Sequence, residues 1–299
     1  MSAGVPAVAA VRPGRRQRTS LLGFVSVRVA ITAIAVLWTV PTAGLLVSSF
    51  RSNADIRATG WWEALLHPFE LTTWTLTNYG QVLAADGLAG AFVNSLVVTI
   101  PATAIPITMA AFAAYAFAWM RFPGRSLLFA LIVALLVVPL QMSLVPVLRM
   151  FTATDLNGTF LGIWLAHTGF GLPLAVYLLY NYISQLPGEL MESASIDGAS
   201  HFAIFRRIVV PLSVPALASF AIFQFLWVWN DLLIALVYLG TDSTVAVLPA
   251  RLRELVGTKG ESWHLLTAAA FVTMVVPFAV FLLLQRYFVR GLIAGSVKG

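Results

Sequence analysis

Long stretches without a single charge alternate with short charged segments along this chain. Residues 29–47, 87–120, 126–148, 156–188, 208–230 and 262–285 contain no Asp, Glu, Lys or Arg. A helix needs about 20 apolar residues to cross a hydrocarbon core of roughly 30 Å. The pattern therefore predicts six spanning helices, and an even number places both termini on one side. The second and fourth windows exceed one crossing. Part of 87–120 is expected to lie along the membrane surface, with Pro101 and Pro106 kinking the spanning part, and Pro173 is expected to interrupt 156–188. No strand pattern and no internal repeat is visible.

Composition agrees: 60% of the residues are hydrophobic and 10% are charged, where a soluble domain carries about 25% charged residues. Without cysteine, disulfides, thiolate chemistry and Cys-based metal sites are excluded. His67, His167, His201 and His264 are scattered, with no metal-ligand spacing. The net charge of +6 is explained by topology rather than by nucleic acid. With the N-terminus inside, Arg12, Arg15, Arg16, Arg18, Arg28, Arg121, Arg125, Arg206, Arg207, Arg286, Arg290 and Lys298 face the cytoplasm. Six basic residues remain outside, and the positive-inside rule then favours N-in, C-in. The basic start of the chain reads as a disordered tail before a retained first helix, because 29–47 is long for a signal-peptide core. Among the outer loops, 48–86 carries Trp61, Trp62 and Trp74, residues that mark a headgroup belt or a docking surface.

The inner segment 187–211 is the richest in local signals. Pro187 suits a first helical turn, and Glu189 lies where the helix dipole favours negative charge. Gly198 is a natural left-handed stop, and Ser200 caps a second short helix expected to end near Pro211. Ser193, Ala194 and Ser195 are small enough for a partner's backbone to approach. A helix–bend–helix elbow results. At the other candidate site, Trp229-Asn230-Asp231 closes the fifth span, while Asn94 and Ser95 open the second. Polar groups there require protein partners or a water-filled path. For Asn94 and Asn230, interhelical hydrogen bonds are an equally good reading. No G-x-x-x-x-G-K-[ST] loop exists to hold ATP, and no catalytic constellation falls within a span.

The spacing of Glu192-Ser193-Ala194, Asp197-Gly198, Ile208 and Pro211 resembles the "EAA" loop of the membrane subunits of bacterial ABC importers. Ser193 stands where alanine is usual, and Val210 where leucine is usual. The Trp229-Asn230-Asp231 triplet and Asn94-Ser95-Leu96 resemble the carbohydrate branch of that family. The ending 285–299 is similar to the tail of the second, six-span permease of maltose-type importers, and 37–51 with Gly60-Trp61-Trp62 looks like α-glucoside-type permeases. The resemblance implies an all-α, polytopic MetI-like type I importer fold. It divides the chain into a basic cytoplasmic tail (1–27), a permease domain (28–290, coupling loop 185–211) and a cytoplasmic tail (291–299). It further implies ATPase coupling through Glu192, Ser193, Ala194, Asp197, Gly198, Ile208 and Pro211, with a second ATPase contact at Arg290, Gly291, Gly295 and Lys298. Asn94, Ser95, Trp229, Asn230 and Asp231 become candidates for the translocation path. The implied partners are a homologous permease, an ABC ATPase dimer holding ATP and Mg, and an extracytoplasmic sugar-binding protein, in the inner membrane of a bacterium. The resemblance also implies no cofactor on this chain, contact with membrane lipid and none with nucleic acid. The alternatives are an amino-acid or peptide ABC permease and a stand-alone ion-coupled transporter, for which His167 is the one deep ionisable candidate.

Overall fold

The computed structural model describes residues 21–84, 87–256 and 262–296. The chain forms two units, one up to Leu45 and one from Leu46 onward. Helix α1 (Leu21–Ser49) carries the first predicted span and continues through Pro41. The loop that follows is built from α2 (Asn53–Ala58), α3 (Glu63–Leu66) and α4 (Thr77–Ala84). Its organiser is Arg51, 2% exposed. The guanidinium donates to the carbonyls of Asp55 at 3.1 Å and Gly60 at 2.9 Å and to the Thr59 hydroxyl, which accounts for a charge buried at this position.

Three long helices form the centre: α5 (Leu88–Trp119), α8 (Phe160–Ile183) and α11 (Val210–Asn230). Ala102, Ala110 and Ala114 of α5 and Ala175 of α8 are fully buried, so small side chains bring the helices close, as interhelical packing in lipid favours. Helix α14 (Trp263–Ser296) lies against α11 and α4. The expected surface segment within 87–120 is absent, since α5 is one continuous helix of 32 residues. Nor does Pro173 interrupt α8. Within a packed bundle, neighbouring helices and hydroxyl side chains satisfy the backbone groups that a proline frees.

Among the described residues, five helices are long and apolar enough to cross a membrane, and a sixth crossing requires a bent pair. The window 126–148, expected as one helix, is divided into α6 (Arg125–Ala134), a short 3-10 turn (Leu135–Val137) and α7 (Leu140–Ala153). The two arms meet at 104°. Pro139 causes the break: it has no N–H for the ladder, and it drives Val138 into extended conformation at φ −74°, ψ 116°.

The ends of the central helices are ordered by two sets of contacts. At one end the Trp119 indole donates to the Ile183 carbonyl at 3.2 Å, joining the last turns of α5 and α8. At the opposite end the segment after α11 folds back through α12 (Leu233–Tyr238) and α13 (Leu248–Val256). Its Tyr238 hydroxyl donates to the Leu144 carbonyl at 3.1 Å, and its Tyr238 carbonyl accepts from Gly158 N–H at 2.7 Å.

Candidate functional site

The elbow forms as its sequence demands, with one difference. Helix α9 (Gly188–Ile196) starts one residue after Pro187, which precedes it as the cap. It ends in a double bond pattern: Gly198 N–H reaches Ser195 O at 3.1 Å, and Ala199 N–H reaches Ala194 O at 2.9 Å. This closure requires a left-handed residue, and Gly198 sits at φ +80°. Ser200 then caps α10 (His201–Ile204), accepting from Ala203 N–H at 3.3 Å. The second helix does not stop near Pro211. A π turn (Phe205–Val209) carries it into α11, so one helical run extends from His201 to Asn230. The wider turn accommodates Pro211, which lacks an N–H and would crowd the carbonyl one regular turn back.

One face of the elbow is anchored. Met191, Ile204 and Phe205 are buried among α5 and α8 residues; Phe205 stacks on Phe112 at 4.5 Å, and the Tyr115 hydroxyl meets His201 Nδ1 at 3.0 Å. The other face is open. Glu192, Ser193, Asp197 and Gly198 are exposed, Ala194 and Ile208 are half-buried, and Pro211 is exposed. Two large apolar side chains flank the bend on this face, Ile196 at 85% and Phe202 at 60% exposure. The motif spacing did not single them out, but two apolar positions beside a glycine stop in a polar loop are the available signal. Beneath α9, a cavity of about 650 Å³ brings Arg121 and Arg125 to Glu192 and His201.

The residues proposed for the path are largely engaged within the chain. Asn94 Nδ2 donates to the carbonyls of Thr244 and Ala246 at 3.0 and 3.1 Å, and Ser95 Oγ accepts from Leu248 N–H at 2.8 Å. Both hold down the segment between α12 and α13, where Thr244 bonds keep the Asp242 carboxyl below its ordinary pKa. Trp229 is buried, stacks on Phe225 and donates to Thr273 O at 3.1 Å. Asn230 is exposed and bonds its own helix at Leu226 O. Asp231 Oδ2 caps α12 by accepting from Ile234 N–H at 2.9 Å and lies 3.9 Å from His167 Nε2. At the C-terminus, Arg290, Gly291 and Gly295 fall in the last turns of α14. Lys298 lies outside the described residues, as does most of the 1–27 tail.

Spanning helices and an anchored elbow with an open apolar rim are the features of a membrane-embedded subunit that can dock a partner. Residues 106–294 match the family described as the binding-protein-dependent transport system inner membrane component, and the chain belongs to that family. It is 60% identical to the osmoprotective compounds uptake permease protein GgtD of Synechocystis, over 91% of each chain. It is 44% identical to the alpha-glucoside transport system permease protein AglG of Rhizobium meliloti, over 92% of this chain and 97% of that one. Its fold matches a chain in the crystal structure of a bacterial ABC transporter that imports alginate, with TM-score 0.69 and 19% identity over 93% of this chain and 100% of the other. The all-helical MetI-like reading thus stands, with five candidate crossings among the described residues and a sixth if the bent pair α6–α7 is one span.

Proposed function

We propose that this chain is one of two permeases of a bacterial inner-membrane importer for small α-glucosides, osmoprotective ones included. The cargo follows from the two relatives above. A separate ATPase, which holds the ATP and Mg, seats on the exposed face of α9 and α10 in the cytoplasm. An extracytoplasmic binding protein delivers the sugar to the opposite end. The observation that carries the coupling role is the pair Ile196 and Phe202, exposed on either side of a glycine bend whose other face is anchored to α5. Exposed apolar side chains rimmed by polar residues mark a docking surface. Closure of the ATPase dimer then moves the elbow as a rigid body and switches access to the path.

The complex purified with its partner subunits tests the cargo: α-glucosides should stimulate its ATPase, while amino acids and peptides should not. Stimulation by an amino acid alone would overturn the sugar reading. For the dock, Glu192→Lys places an opposing charge on the exposed rim. We expect the ATPase recovered per permease to fall about three- to tenfold, the scale of one misplaced interfacial charge. An unchanged yield would rule out docking on this face.

A further inference from the structure

The break between α6 and α7 leaves a fold-level question that the elbow does not answer. Arg125 marks the start of this crossing, and the ten residues of α6 with the 3-10 turn place Pro139 about 20 Å from it. That depth lies inside the hydrocarbon. Irregular backbone at such depth is tolerated only where protein covers it or a water-filled cavity runs beside it. Here a cavity of about 350 Å³ opens at the break, between α7, α8 and α11. Leu136 and Val138 of the break line it, with Ser143 of α7, Gly169 and Phe170 of α8, and Trp227 of α11. Trp227 is held edge-on by the buried His167 ring, with centroids 5.3 Å apart and planes at 88°. A Cβ on Gly169 would meet nothing within 4 Å.

We infer that this cavity is a transit subsite for the sugar on this chain, with Trp227 and Phe170 as the surfaces over which a pyranose ring passes. A pyranose presents an apolar C–H face that packs on aromatic rings, while its hydroxyls keep water, the Ser143 hydroxyl and backbone groups at the break as partners. The volume is within the range of small-molecule sites. An aliphatic lining with few polar groups makes retention weak, as a path must if cargo is to leave. His167 is then a positioning residue for Trp227, through the edge-on contact. The inference rests on the α-glucoside reading above and adds where this chain meets the cargo.

The chain has no cysteine, so Ser143→Cys places a single thiol on the cavity wall. In the full complex in proteoliposomes, a water-soluble methanethiosulfonate should modify it. The α-glucoside that the wild type transports fastest among maltose, trehalose and sucrose should slow the reaction, and sorbitol should not. Val275→Cys at the middle of the apolar span of α14, 61% exposed, is the mid-membrane control and should stay unmodified. Trp227→Ala should lower uptake at subsaturating sugar about tenfold, the scale of one lost aromatic contact. Trp227→Phe should retain most uptake. A Ser143→Cys thiol as inert as the control overturns the subsite, as does one whose reaction ignores the sugar. If Trp227→Ala fails to assemble, Trp227→Phe and the thiol decide the matter. A wild type that moves no α-glucoside overturns the parent reading instead, and one that does, with an inert thiol, overturns the subsite alone.

Discussion

Gly198→Val should yield a complex that reaches the membrane and hydrolyses ATP but no longer couples hydrolysis to uptake. Nothing lies within 4 Å of a Cβ built on Gly198, so steric clash with neighbours is not the mechanism. The cost is in the backbone. At φ +80° a β-branched residue is strained by about 1–3 kcal/mol, enough to open the closure of Gly198 and Ala199 onto Ser195 and Ala194. The elbow would then present Ile196 and Phe202 in a different relation. Asn tolerates the left-handed region better than Ala, and Ala better than Val. Uptake per unit of membrane protein should therefore fall in the order Gly, Asn, Ala, Val, with Val reduced about tenfold or more. Labelled-sugar uptake measured beside membrane abundance checks this, and full uptake by the valine variant would refute a coupling role for the bend.

Gly171→Val should act earlier, on folding. A Cβ there would sit 2.6 Å from Gln224 Oε1 and 2.7 Å from its Nε2. Gln224 is fully buried and its Nε2 donates to the Ala102 carbonyl at 3.1 Å, tying α11 to α5 across α8. Overpacking costs about 1–3 kcal/mol, and a displaced amide adds a similar penalty for a buried group left unpaired. Less protein should reach the membrane, and the purified complex should melt several degrees lower. Adding Gln224→Ala removes the colliding amide and should recover part of the loss. Equal stability of single and double variants would show that the collision is not the cause.

The elbow and the apolar spans were legible because each rests on local chemistry. Gly198 is nearly alone in tolerating its conformation, Ser200 caps whatever helix follows it, and charge-free windows measure the bilayer. The break at Pro139 was written in the sequence as well, but Pro101, Pro106, Pro173 and Pro215 are carried through intact helices. Which proline breaks its helix depends on what the neighbours can satisfy, and a single sequence does not display neighbours. The same holds for the polar residues. Asn94 looked equally suited to cargo and to structure until the fold brought the carbonyls of Thr244 and Ala246 to it, and its neighbour Ser95 accepts from the N–H of Leu248. Trp227 and Trp229 are two positions apart, yet one is buried against Phe225 and the other lines a cavity. Helix rotation, set by tertiary packing, made that distinction.

The π turn at Phe205–Val209 has a mechanical consequence. Because it joins the elbow to α11 without a stop, the run of 30 residues from His201 to Asn230 is a lever about 45 Å long. A tilt of roughly 10° at one end displaces the other by about 8 Å over such a length. Trp227 and Asp231 lie at that far end. A modest rotation where the motor grips is thus magnified into a displacement comparable to the width of a sugar ring.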